Sequence, residues 1–111
     1  MMSEKPGLDE APEIITRKYR VYEVTTAKTN GALERSRHIV AALVDDTVRV
    51  SSNIDTFDKD QGRITTRTGR IYVLGTGKIG QTAKSADIWW QWVQIHGAKE
   101  IWDVSGDYEI I

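Results

Sequence analysis

Three glycines, Gly75, Gly77 and Gly80, spell G-x-G-x-x-G directly behind the apolar stretch Ile71-Tyr72-Val73-Leu74. In that spacing the first glycine permits a tight turn and the second lets backbone approach a pyrophosphate. The third lets a helix pack closely on its strand. A phosphate would sit on free N–H groups at the helix N-terminus, and the backbone and Lys78 would serve it whatever the surrounding fold. More cations lie just upstream, where Arg63, Arg67 and Arg70 share a candidate hairpin with Thr65, Thr66 and Tyr72. A guanidinium grips planar phosphate oxygens two at a time, and an aromatic ring can stack a base. The candidate ligand-binding set is therefore Arg67, Arg70, Tyr72 and Lys78.

Other chemistries find less to work with. Asp55, Asp58 and Asp60 with Gly62 have the composition of a calcium loop. Counted from Asp58, however, the glycine arrives one position early and Gly69 stands where the closing glutamate belongs. His38 and His96 lie in separate segments without partners at ligand spacing, so no metal site is expected. There is no cysteine, and no G-x-S-x-G, S-x-x-K or H-E-x-x-H is spelled. The chain reads as a non-enzymatic protein.

The elements that must position these residues follow from periodicity and turn chemistry. Residues 1–13, with both prolines and four acids, form an acidic lead-in expected to be disordered. From Ile14 to Thr26 β-branched and aromatic residues dominate. Ile15, Tyr19 and Val21 fall on one parity, Tyr22, Val24 and Thr26 on the other, and Arg17, Lys18 and Arg20 are spread along the strand. Asn30-Gly31 supplies a turn. Residues 32–44 admit a helix, but the run Ile39–Val44 before Asp45-Asp46 and the alternation in 47–51 favour a hairpin, with strands near 37–44 and 47–52. Asn53–Gly62 reads as a polar loop around a lone Phe57. Thr68-Gly69 joins strands at 63–67 and 70–74.

A helix follows from near Ser85, as N-cap with Asp87 in the first turn, to His96, with Gly97 at C′. Ile88, Trp89, Trp92, Val93, Ile95 and His96 share its apolar face, and Asp87, Gln91 and Gln94 the other. Trp89, Trp92 and Trp102 are expected in the core. Trp90 lies among the polar residues, and tryptophan is enriched at interfaces, so it is expected to be covered by another subunit or a partner. Residues 99–111 could add a short edge strand. The fold class is α+β: one domain over 14–111, an antiparallel sheet of about five strands with one C-terminal helix, since short turns force antiparallel pairing.

Composition narrows the partners. With Lys+Arg 15 against Asp+Glu 16 the net charge is -1, which gives no global reason to expect nucleic acid. The N-terminus has no apolar signal core, and no apolar run approaches the roughly 20 residues of a membrane span. The simplest placement is cytoplasmic, which for a virus-encoded protein means the host cytoplasm.

Two resemblances bear on function. The glycine spelling resembles the fingerprint of NAD-dependent dehydrogenases, and Asp103 follows Ile101-Trp102 as their ribose-binding acid would. That resemblance implies a βαβαβ parallel sheet, whereas the chain upstream reads as antiparallel. Asp103 also stands farther from Gly75 than the usual ~20 residues. The loop is therefore expected to be a turn, with no cofactor. Separately, the phrase Ile64-Thr65-Thr66-Arg67-Thr68-Gly69-Arg70-Ile71-Tyr72-Val73-Leu74 resembles a Thr/Ser-rich hairpin ending in an I-Y-x-L strand of small phage proteins. The layout over 14–96 is similar to phage nucleotide sponges of the Thoeris anti-defence type. That resemblance implies a homo-oligomer that sequesters cyclic signalling nucleotides, uncleaved, in pockets between protomers. The expected function is thus a small binding protein for a phosphate-bearing ligand. The alternative is an inhibitor acting by protein contacts on a host (CRISPR-like) defence complex, with a small nucleotide-binding enzyme third.

Overall fold

A computed structural model describes residues 13–110. Apart from Glu13, the acidic lead-in expected for 1–13 lies outside the described residues. The order of elements is β1 (Glu13–Ala27), β2 (Leu33–Leu43), β3 (Val48–Val50), β4 (Ile54–Asp58), β5 (Arg63–Thr66), β6 (Ile71–Val73), β7 (Lys78–Ile79), α1 (Ala83–His96) and β8 (Glu100–Asp103), then a 3₁₀ turn at Ser105–Tyr108. The class is α+β with one helix, as expected, but the strands number eight. The additions are β4, β7 and β8. The first forms where a polar loop was expected, because Phe57 and Ile54 pack against the core. β8 is the short edge strand that residues 99–111 could add.

The long strand β1 organises the molecule. It pairs antiparallel with β2 along its length and with β8 over Tyr22–Thr25. Its first residues pair parallel with β6, and Lys18-Tyr19 pair parallel with β7. The expectation of purely antiparallel pairing is corrected here. The short turns do force it between sequence neighbours, but β6 returns to β1 only after the whole β2–β5 excursion, long enough to arrive in either direction.

Two cores lie on opposite faces of β1 and β2, as strand alternation requires. Tyr19, Val21, Ile39 and Ala41 meet Ile64, Tyr72 and Leu74 on one face. On the other, Tyr22, Val24 and Val40 pack against Trp89, Trp92 and Val93 of α1. A bulge between Thr16 and Lys18 inserts Arg17 and reverses the alternation. Ile14 and Thr16 are therefore buried on the same side as Tyr19 and Val21, and Ile15, expected to share their side, faces out.

Turn and cap chemistry explains the connections. Gly31, Gly69 and Gly97 all adopt positive φ, as does Asp46 in the β2–β3 turn. The β5–β6 loop, residues 67–70, is closed by Thr66 N–H donating to the Arg70 carbonyl at 3.0 Å. The helix starts earlier than expected. Thr82 is the N-cap and Ser85 the N3 partner in a reciprocal capping box. Ile95, expected on the apolar face, is 79% exposed, because the buried stripe runs through Ser85, Trp89 and Val93 and Ile95 lies about 200° round the helix from Val93. Trp102, expected in the core, is exposed on β8 beneath the Arg35 guanidinium, 5.4 Å from its ring centre.

Candidate functional site

The glycine-rich loop does not lead straight from strand to helix. Leu74 drops into the core, Gly77 N–H closes a turn on the Leu74 carbonyl at 2.9 Å, and β7 then runs beside β1. Gly80 N–H donates to the Tyr19 carbonyl at 2.9 Å, and only after Gln81 and the Thr82 cap does α1 begin. Of the three glycines, Gly77 alone has no room for a side chain. A Cβ there would collide with Thr16 Oγ1 and stand 2.9 Å from the Thr16 carbonyl oxygen. At Gly75 a Cβ would meet nothing within 4 Å. Close approach of two segments of the chain's own backbone thus explains the central glycine. With one helix and a mostly antiparallel sheet, no doubly wound crevice is formed.

The sequence-derived candidates fall in three places. Arg67 and Arg70 stand exposed at the β5–β6 loop, and among the described residues neither forms an ion pair with a carboxylate. Tyr72 is 1% exposed. Strand alternation turns its ring into the core while Ile71 and Val73 point outward, so the ring is not a surface platform for a base. Burial raises the Tyr72 hydroxyl's pKa, with Arg49 and Arg70 pulling the other way. Lys78 lies on β7, in register with Lys18, whereas Ile71 at the start of β6 is in register with Glu13. Along β1 that separation amounts to roughly 16 Å. Arg67 and Arg70, which precede β6, are thus set apart from Lys78 along the sheet. Trp90 is 54% exposed on the outer side of α1.

What the fold does bring together is a different set of cations. Partners in register share a face, so Lys18 and Lys78 stand side by side on the α1 side of the sheet. Arg20, two residues along β1, projects on the same face beneath the start of α1. Among the described residues neither lysine is paired with a carboxylate. Arg20 donates from Nη1 to Asp103 Oδ2 at 2.8 Å. Burial works against the Asp103 carboxylate, but hydrogen bonds from Ser105 and the Arg20 charge outweigh it and hold its pKa low. Asp103, the acid that could have read a ribose, is therefore committed to Arg20 and Ser105. The positive end of the α1 dipole adds to this group.

Two clefts flank the group. A shallow one of about 260 Å³ lies between Gly75, Gly77 and Lys78 on one side and Glu109 and Ile110 on the other. A narrow one, about 10 Å³, runs between β1 and the first turns of α1, lined by Arg20, Tyr22, Ser85 and Trp89. Lys18 and Arg20 were not singled out from sequence. The signal was present in the alternation Lys18, Arg20, Tyr22, Val24, but which face α1 would cover was not.

Behind the narrow cleft an aromatic column runs up the inner face of α1. Tyr22 stacks on Trp89 at 4.4 Å, Trp89 on Trp92 at 5.1 Å, and Trp92 on His96 at 4.1 Å. His38 is buried against Trp92. Its Nδ1–H donates to the Ser51 carbonyl at 2.9 Å, since a carbonyl can only accept, leaving Nε2 to accept from Ser36 Oγ at 2.7 Å. Among the described residues no group of three or more His, Asp or Glu side chains is placed to hold a metal. No described helix is long and apolar enough to cross a membrane. No family model, curated protein or solved structure matches the chain.

Proposed function

We propose that this chain is a non-enzymatic binding protein that captures a phosphate-bearing ligand of the signalling-nucleotide class, with Lys18 and Lys78 as its charged contacts. The observation that carries this reading is the in-register pairing of those two lysines beside the head of α1. Adjacent like charges are unfavourable in a sheet, and a phosphate between them reverses the sign of that interaction. The likeness of the 64–74 phrase to phage nucleotide sponges points the same way. It would make the ligand a cyclic nucleotide, the site of action a host cytoplasm and the assembly a homo-oligomer. Arg67 and Arg70 lie too far along the sheet to meet a phosphate held by Lys78, so they would join the site only from a neighbouring protomer.

The test is thermal shift and calorimetry against a panel of cyclic and linear nucleotides. Stabilisation is expected to fall about tenfold or more in affinity with Lys78→Ala or Lys18→Ala, and to weaken as salt rises. If no nucleotide stabilises the protein, the reading is wrong.

A second reading, inhibition of a host defence complex by protein contacts, is favoured by one observation. Trp90 and Ile95 on α1 and Leu33 at the β1–β2 turn are large apolar side chains left in solvent. It predicts loss of inhibition with Trp90→Ala and no competition by nucleotides.

A further inference from the structure

We propose that the narrow cleft between β1 and the first turns of α1 is an oxyanion seat, where Trp89 Nε1–H and Arg20 donate to one non-bridging phosphoryl oxygen. The proposal rests on the phosphate-ligand reading above and names where that phosphate would anchor. Three independent features converge there. Trp89 is 2% exposed, and its Nε1 is the one buried side-chain nitrogen or oxygen among the described residues with no hydrogen-bond partner. Buried donors are almost always satisfied, so an orphan calls for an occupant. The indole stacks with Tyr22 and with Trp92, and Trp89 is also among the residues that line the cleft.

The second feature is size and polarity. Room for about 10 Å³ admits a single oxygen atom, with the rest of a phosphate group outside in the mouth. Trp89 and Arg20 can only donate hydrogen bonds, and the Ser85 hydroxyl is already engaged with Thr82. An oxyanion oxygen, which only accepts, matches these two donors.

The third feature is electrostatic. The cleft lies against the first turns of a helix of 14 residues, and its lining residue Gly80 is next to Lys18, the register partner of Lys78. Asp103 draws on Arg20 through one of its N–H groups, at Nη1, and leaves the others to reach the cleft.

The experiment follows the four tryptophan indole N–H signals of the intact protein by ¹H–¹⁵N correlation, with inorganic phosphate as the probe and sodium chloride at matched ionic strength as control. The Trp89 signal is expected to move saturably with phosphate alone, while those of Trp90 and Trp102 stay in place. Arg20→Gln should weaken this response about tenfold or more. Should Arg20→Gln not fold, Trp89→Phe keeps an aromatic ring in the stack and removes the donor along with part of the buried ring. By calorimetry it should weaken phosphate binding, and unchanged binding would overturn the proposal. An identical shift in chloride, or none in phosphate, would also overturn it and leave a buried water as the occupant. If nucleotides bind while Trp89 does not respond, the seat is wrong and the ligand reading stands. If phosphate moves Trp89 but no nucleotide binds, the seat stands and the nucleotide reading fails.

Discussion

Replacing Gly77 by alanine separates a glycine kept for chain packing from one kept for phosphate. The added methyl would press on Thr16, reaching its Oγ1 and standing 2.9 Å from its carbonyl oxygen. Thr16 cannot move aside freely. It is fully buried, and its hydroxyl donates to the Val73 carbonyl at 2.9 Å, tying β1 to β6. Accommodating the methyl by backbone shift is overpacking, at ~1–3 kcal/mol. Turning the Thr16 hydroxyl away instead leaves buried polar groups unpaired, at ~1–3 kcal/mol. The chain takes the cheaper combination, so a loss of ~2–3 kcal/mol is expected, or roughly 10–20 °C in Tm for a domain of this size.

Gly75→Ala meets nothing within 4 Å. Because it also narrows the unfolded ensemble, it should be neutral or stabilise by up to ~1 kcal/mol. At Gly80 the nearest atom is Lys18 Cδ at 3.7 Å, an ordinary contact, so Gly80→Ala should stay within ~0.5 kcal/mol of the parent. Urea unfolding of the three variants, with equal m-values, gives the comparison. Gly77→Ala within ~0.5 kcal/mol of the parent would refute the packing argument. So would an equal loss from Gly75→Ala.

His38 should make stability depend on pH. Burial holds its folded pKa below the ordinary value, helped by the His96 charge and opposed by the Ser51 hydrogen bond. Its neutral form is favoured by folding, so this contribution is complete above the unfolded pKa of ~6.5 and is lost as pH falls. Denaturation between pH 7 and pH 5 should show the decline, and His38→Gln should flatten it. At Gly97, φ is 62° with open space around a would-be Cβ, so Gly97→Ala bears the left-handed backbone penalty alone. Thermal unfolding should register a loss of ~1–2 kcal/mol, with Gly97→Asn losing less. Trp90→Ala should leave stability within ~0.5 kcal/mol and abolish self-association in sedimentation at tens of micromolar, because the exposed indole holds no core contact to lose. A parent protein that sediments as a monomer would sink the oligomer expectation.

The sequence by itself determined whatever depends on a few neighbouring residues. Asn30-Gly31, Thr68-Gly69 and Gly97 marked turns and a helix end because positive φ is a local demand, met at Gly31, Gly69 and Gly97. The 3.6-residue period placed α1, put Trp89 and Val93 inside and left Trp90 in solvent. Alternation and β-branched content found most of the strands. Only the tertiary structure decided which strands meet. The parallel return of β6 and β7 to β1 and the bulge at Arg17 that turns Ile15 out and Ile14 in are settled by packing between segments tens of residues apart, and the strand made of Ile54–Asp58 is held on the core by Phe57 against the distant Tyr108. The same holds for the candidate site. The residue types of Arg67, Arg70, Tyr72 and Lys78 suggested one phosphate cluster, but the register of β6 and β7 on β1 places Tyr72 in the core and Lys78 next to Lys18. Register slides every side chain of a strand together, and it is chosen by the whole buried face, not by the residues that would touch a ligand.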